Sequence, residues 1–337
     1  DEDSKNILNP LIKNEYEIDL KKLSYEKPEE NYESLRDTSS KVLNSIVSNN
    51  EFIMGGSADL FTSTKTYIKD LGDFSSKNYL GKNIFFGVRE HAMAAIINGI
   101  SLVGFRSYAS TFLAFSDYMR PAMRIASILN LPVTYIFTHD SISIGSDGAT
   151  HQPVEQLTSL RAMPNLEVFR PCDANEVIGT YKTIMKKKTG PSVISLSKTK
   201  LPILETTSSS GVEKGAYIVK NEQRKLDGII ISSGEEVHQA IEVNKRLNTK
   251  GIDVRVVSMP SIKRFLDQED AYKEEILPVG IKKIVIEAGS SLSWNRLIFN
   301  KKYLITLDTF GDSGSRDELY EKYGFDIEID NWDKEII

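Results

Sequence analysis

From Asn31 onward, Leu35, Val42, Leu43, Ile46 and Val47 recur at the spacing of a helix with one apolar face. Beyond it come short runs that are apolar throughout: EFIM (51–54), NIFF (83–86), PVTYIF (132–137), LEVF (166–169) and PSVISL (191–196). Runs of this kind, separated by helical stretches, predict parallel strands covered on both faces. Residues 31–200 therefore predict one doubly wound α/β domain. The stretch LPILETTSSSGVEKG (201–215) breaks the pattern with Pro, a Ser/Thr cluster and Gly, as a linker does. Alternation then resumes. DGIIISSG, IDVRVVSMP, KKIVIEAG and KKYLITLDTF read as strands; EEVHQAIEVNKRLNTKG and SRDELYEKYGF read as helices, the second with Ser315 as N-cap. Residues 216–337 thus predict a second, smaller domain of the same α/β, mostly parallel class, with no evident ionisable cluster at its strand ends and no catalytic group. Residues 1–30 are polar, with little sustained periodicity, and read as a connecting arm.

Composition narrows the field of partners. The net charge of −5 over 337 residues gives no basic footprint, which argues against nucleic acid and anionic membrane. No apolar run approaches the roughly 18 residues a membrane span needs. Cys172 is the single cysteine, which rules out an internal disulfide and suits a reducing, cytoplasmic location. The sequence opens on Asp1 rather than Met, so processing or truncation is the expectation.

The polar chemistry gathers in the first domain. His91, His139 and His151, three of the four histidines, fall near predicted strand-to-helix junctions. Ligands of doubly wound folds bind at such junctions, beyond the carboxyl ends of the strands. FGVREHAM (86–93) sets Arg89, Glu90 and His91 where a buried strand feeds a buried helix; taken alone, an acidic residue there merely suits the helix dipole. GGSADLFTS (55–63) reads alone as a Gly-permitted turn after EFIM, and only weakly as a phosphate cradle. THDSISIGSDGATHQP (138–153) is too long and too polar for a mere connector and favours a ligand. Phe112, Phe115 and Tyr118 stand three apart along a predicted helix face, either as core or as a stacking surface for a flat heterocycle.

In their order along the chain, GGSADL, FGVREHAM, the aromatic triplet and THDSISIGSDGATHQPVEQL resemble the C-terminal half of transketolase, a thiamine-diphosphate enzyme. The resemblance runs from about Arg36 to the end and implies a pyrimidine-binding domain followed by a transketolase C-terminal domain. It implies that Glu90 is the catalytic carboxyl that hydrogen-bonds N1′ of the cofactor's aminopyrimidine and governs its tautomer. Phe115 would stack on that ring, with Phe112 and Tyr118 completing the pocket. Arg36, Ser63 and His139 match residues that grip the sugar phosphate, Asp147 one that reads a sugar hydroxyl, and His151 an active-site histidine near the reacting carbons. Asp59 would hold cofactor-site and interface geometry. Lys198 stands where the family commonly has a second phosphate-binding arginine, keeping the charge but losing the planar fork.

The family also needs a domain that holds the diphosphate through Mg²⁺ or Ca²⁺, marked by Gly-Asp-Gly and a later Asn. GSDG (145–148) with Asn175 imitates the spacing but is Gly-Ser-Asp-Gly, followed by THQP; GDSG (311–314) is equally unlike it. No metal ligand is expected in this chain. The resemblance implies a homodimer in which the missing diphosphate domain of one subunit faces the pyrimidine domain of the other. The chain would then be a fragment of a longer polypeptide or one subunit of a split enzyme, working on ketose and aldose phosphates in the pentose phosphate pathway. Two rival readings are a thiamine enzyme subunit that processes 2-oxo acids, and a non-catalytic partner-binding half.

Overall fold

The computed structural model describes residues 2–13 and 15–325; Asp1 and residues 326–337 of the predicted second domain lie outside the described residues. Within the predicted arm, Glu2–Ile12 is a helix rather than irregular chain. Strand β1 (Tyr32–Ser34) leads into helix Leu35–Ser48, whose first turn is capped by the Ser34 side chain accepting from the Asp37 amide. All five apolar residues predicted to share a face of this helix are buried.

Six strands then build the larger sheet: β2 (Ile53–Ser57), β3 (Asn83–Phe85), β4 (Arg106–Phe112), β5 (Thr134–Thr138), β6 (Glu167–Phe169) and β7 (Ser192–Leu196). Their order is β3-β2-β4-β5-β7-β6, and every pairing is parallel. The chain steps outward from β2 to β3 and returns on the other side of β2, so the strand order reverses at that point. Alternate residues supply opposite apolar layers. Tyr135 and Phe137 pack with Met93, Ile97 and Met123, while Ile136 packs with Val42, Ile46 and Tyr181.

Two expectations need correction here. Gly55 and Gly56 lie inside β2, not in a turn after it, because the neighbouring strands approach too closely for a side chain. A Cβ on Gly56 would fall 1.9 Å from the Ile84 carbonyl oxygen, and one on Gly55 2.1 Å from that of Tyr108. Phe112 closes β4 rather than riding a helix, and Leu113–Met119 is a 3₁₀ turn carrying Phe115 and Tyr118. A 3₁₀ turn has three residues per revolution, so the three-residue spacing still aligns the rings.

Strand β8 (Lys200–Pro202) returns antiparallel to β1, so the predicted linker begins as a strand tied to the start of the first domain. The second sheet contains β9 (Tyr217–Lys220), β10 (Gly228–Ser232), β11 (Val254–Ser258), β12 (Lys283–Glu287) and β13 (Leu304–Thr306) in the order β13-β12-β10-β11-β9. Only the β9 edge is antiparallel. Helix Arg316–Lys322 opens with the predicted Ser315 cap, which with Glu318 forms a reciprocal capping box.

The second domain does carry ionisable residues at its strand ends, contrary to the sequence expectation. Glu287 is the last residue of β12, and Glu235 and Glu236 follow β10. They were hidden because their partners lie in the other domain. Glu287 accepts both Arg161 Nη atoms at 2.7 Å and the Trp294 indole N–H at 2.8 Å. Arg170 donates to Asp140 through Nε at 2.9 Å and bridges through Nη1 to Glu236.

A second polar joint centres on Glu176, on helix Ala174–Lys186. Its carboxyl takes the Tyr217 hydroxyl at 2.8 Å and the Ser258 hydroxyl at 2.5 Å, both from the second domain, and the Cys172 amide at 2.8 Å. Burial, followed by the nearby Asp173 charge, pushes the Glu176 carboxyl up to about 7. The folded chain therefore keeps a proton that the unfolded chain releases near the ordinary 4.5, and stability from this group is lost as pH rises through that window. Glu176→Gln removes the titration. Urea unfolding should show the variant gaining roughly 3 kcal/mol on the parent between about pH 5 and pH 8. Parallel pH profiles would refute this assignment.

Candidate active site

Five neighbouring strands deliver the predicted residues at their carboxyl ends, where ligands of such sheets bind. Asp59 lies just past β2; Glu90 opens helix Glu90–Leu102 after β3; Phe112 closes β4; His139 follows β5 directly; Lys198 lies just past β7. Asp147 and His151 reach the same edge on the turn and loop after His139.

The aromatic triplet and two histidines form one group. The Phe112 and Phe115 rings stack at 5.5 Å, and Phe115 meets Tyr118 at 6.2 Å. The His139 ring lies 3.8 Å from Phe112, and the His151 ring packs edge-on to Phe115 at 5.3 Å. Helix Glu90–Leu102 packs against the same 3₁₀ turn. Glu90 is only 8% exposed, and its carboxylate has no hydrogen bond or ion pair among the described residues. A carboxylate in a largely buried residue that no protein group engages is free to accept a hydrogen bond from a ligand. An N–H-bearing heterocycle on the aromatic surface would supply one.

Cations gather near His139. Arg36 Nη1 donates to the Ser63 carbonyl at 2.8 Å, and its Nε is buried without a partner. Lys198 pairs with Asp147 at 3.3 Å. Burial first, then the Lys198 and Arg36 charges, lowers His139 to about 3, with Asp147 opposing. The imidazole is thus neutral at ordinary pH, with Nδ1 held 2.7 Å from the Thr138 hydroxyl. Two cations, a neutral donor ring and an unpaired guanidinium N–H suit a phosphate monoester.

Asp59 stands apart from this group, as do His91 and Asn175, to which the resemblance assigns no role. Asp59 is exposed and its carboxylate makes no hydrogen bond among the described residues; His91 is exposed on its helix. Asn175 donates to the Leu204 carbonyl and the Thr207 hydroxyl at 3.1 and 3.0 Å, a structural tether.

The family model "Transketolase, pyrimidine binding domain" matches residues 33–203, and "Transketolase-like TK C-terminal domain" matches residues 215–326. The chain belongs to the transketolase family. The transketolase of Bacillus subtilis (strain 168) is 47% identical over 298 residues, covering 87% of this chain and 45% of that protein. The transketolase of Aquifex aeolicus (strain VF5) is 43% identical over 307 residues, covering 89% and 45%. The solved transketolase from Leishmania mexicana superposes with a TM-score of 0.88 at 36% identity, over 96% of this chain and 48% of that one. A structure described as a split gene transketolase, inactive beta4 tetramer, gives a TM-score of 0.67 at 26% identity, over 86% of this chain and 93% of that one. The chain therefore spans about half the length of the curated transketolases it matches.

Sequence reasoning gave no role to Gln152, which lies within the quoted motif around His151, or to Arg170 and Ser197. One signal was available: Gln152 and Ser197 directly adjoin His151 and Lys198. Histidine ring NMR across a pH titration tests the electrostatics of this group. The His139 ring, identified by its loss in His139→Gln, should remain neutral from pH 7 to about pH 4. Lys198→Ala removes a neighbouring cation and should raise the midpoint, while burial keeps it below 6.5. A parent midpoint at the ordinary value would refute the arrangement.

Proposed function

We propose that this chain supplies the aminopyrimidine and sugar-phosphate half of a transketolase site. The complete enzyme would transfer a two-carbon ketol unit from a ketose phosphate to an aldose phosphate in the pentose phosphate pathway of the cytoplasm. The observation that carries this reading is the buried, unpartnered Glu90 beside the aromatic turn, with the Arg36, His139 and Lys198 group at the same sheet edge.

Thiamine diphosphate, when bound, supplies the nucleophilic carbon that accepts the two-carbon unit. In this reading the Glu90 carboxyl shares a proton with N1′ of the aminopyrimidine and so selects its tautomer. Phe115 stacks on the ring, while Phe112 and Tyr118 exclude water around it. Arg36, Ser63, His139 and Lys198 bind the phosphate end of the sugar, Asp147 orients a hydroxyl, and His151 holds or moves a proton at the sugar's reacting end. Asp59 sets the geometry of the strand end.

The proposed partners rest on the family resemblance and on what the chain exposes. Among the described residues no group of three or more His, Cys, Asp or Glu is placed to hold a metal. In this reading Mg²⁺ or Ca²⁺ is held by the family's diphosphate-binding domain, as the resemblance implies. Ile96 and Leu102 on one helix, with Ile125 and Ile128 on the helix packed beside it, are exposed and apolar. Such a patch suits a second subunit. Taken alone, the chain would be a non-catalytic half, in keeping with its 45% coverage of the curated relatives.

The test is to combine the chain with a diphosphate-binding half, thiamine diphosphate and Mg²⁺, and to assay xylulose 5-phosphate with ribose 5-phosphate. Ketol transfer is expected, and Glu90→Ala should lower kcat by roughly 100-fold or more with an unchanged unfolding midpoint. Turnover of pyruvate in place of the sugar phosphates would favour the 2-oxo-acid reading. Near-parental activity of Glu90→Ala at ordinary cofactor concentration would refute the role of the carboxyl.

A further inference from the structure

Four of the six residues that the proposed function sets around the sugar phosphate share a feature of their surroundings. Each of His139, Asp147, His151 and Lys198 has a sequence neighbour tethered to the second domain, directly or through Arg170. Beside His139, Asp140 accepts Arg170 Nε at 2.9 Å, and Arg170 Nη1 donates to the Ser233 carbonyl at 2.9 Å and to Glu236. Beside Lys198, the Ser197 hydroxyl donates to Glu235, which also takes the Tyr320 hydroxyl at 2.6 Å. Beside Asp147, the Ser146 carbonyl accepts the Ser313 hydroxyl at 3.0 Å. Beside His151, Gln152 Nε2 donates at 2.8 Å to the carbonyls of Gly145, in its own loop, and of Asp312, in the second domain.

The fit is close as well as polar. A Cβ on Gly234 would lie 2.5 Å from Arg170 Cζ, and one on Gly311 would lie 1.8 Å from Gln152 Oε1. Helix Arg316–Lys322 packs against the turn Ile142–Asp147. The loop between His139 and His151 crosses the edge of the first sheet with only short 3₁₀ structure of its own. Its conformation is therefore set by whatever lies behind it.

Resting on the proposed sugar-phosphate site, we infer that the second domain is the positioning element of that site, with Glu235, Tyr320 and Ser313 as positioning residues. None of these three touches the candidate site residues by a hydrogen bond; they act through Ser197 and Ser146. Ketose phosphate binding would then depend on a domain that places no group on the substrate.

Tyr320→Phe and Ser313→Ala, combined, remove two tether hydroxyls without opening a large cavity. In the assembled enzyme the KM for the ketose phosphate should rise roughly tenfold or more, as for a small misplacement of binding groups, with kcat changed less. Affinity for thiamine diphosphate should stay at the parental value, and Ser313→Thr in the Tyr320→Phe background should recover part of the KM. A second readout uses the 337-residue chain alone: the His139 and His151 ring resonances should move in the double variant, while the His91 ring should not. An unmoved His139 and His151 pair, or a fall in stability with no change in KM, would overturn the inference. An assembled parent that fails to transfer ketol units would refute the function reading instead, and the ring resonances would still decide whether the second domain positions the loop.

Discussion

Arg170 is the interaction on which the rest of the molecule depends. Its side chain has no solvent exposure, and it stands between Asp140 of the first domain and Glu236 and Glu287 of the second. Burial alone would lower the guanidinium, yet the three carboxylates hold it well above its ordinary value. Withdrawing such charges from water costs several kcal/mol per ion, and only good geometry with satisfied hydrogen bonds offsets it. The domains therefore meet through charges that cannot separate without leaving one of them buried and unpaired. An apolar joint would tolerate sliding, because its contacts are non-directional. This joint fixes one orientation of the two sheets, and with it the floor beneath the loop that begins at His139.

The same cluster distributes its charge unevenly. Glu287 is held down to about 2 despite its burial, because Arg161 and Arg170 both face it. Glu236 goes the other way, pushed up mainly by burial, with Glu235 beside it and the Tyr320 hydroxyl within 2.7 Å of both carboxyls. Glu235 stays on the ionised side, where Arg316 outweighs much of its burial. Counting Asp140, four carboxyls meet three guanidiniums, and this excess of acid adds to burial in raising Glu236.

The sequence made the periodic parts of the fold legible and concealed the parts satisfied at long range. Five of the six strands of the larger sheet were predicted as apolar runs; β4 was not, because RSYASTF is largely polar. Two of its hydroxyls are satisfied inside the core, Ser107 donating to the Ile97 carbonyl at 2.9 Å and Ser110 meeting Thr66 at 2.6 Å, while that of Thr111 is buried without a partner. The edge strand β9 was also missed, lying against the linker. At the candidate site, the motifs located the residues because strand ends are close in sequence to the side chains they present. The tethers from the second domain were invisible for the opposite reason. Arg170 and Glu236 are 66 residues apart, Gln152 and Asp312 160. No local period records such a pair.

Backbone strain marks the same sheet edge. His139, directly after β5, and Asp59, just past β2, have φ values of 60° and 63°. Glycine would take that left-handed conformation more readily, and a residue with a Cβ gives up about 1 kcal/mol or more to hold it. A glycine at position 139 would also lose the imidazole that faces Phe112 and is kept neutral by burial first and then by Lys198 and Arg36. Along the row β3-β2-β4-β5, three strand spacings separate the end that bears Glu90 from the end that bears His139, about 14 Å at the usual interval. Phe112 closes β4, one of the two strands between them. The edge is thus polar in a fixed sense: a lone acid at one end, a flat apolar surface in the middle, and cations around a neutral donor at the other. In the proposed reading a heterocycle between Glu90 and the rings leaves only the cationic end for a phosphate, so the order of strands in the sheet sets the direction in which a sugar phosphate lies.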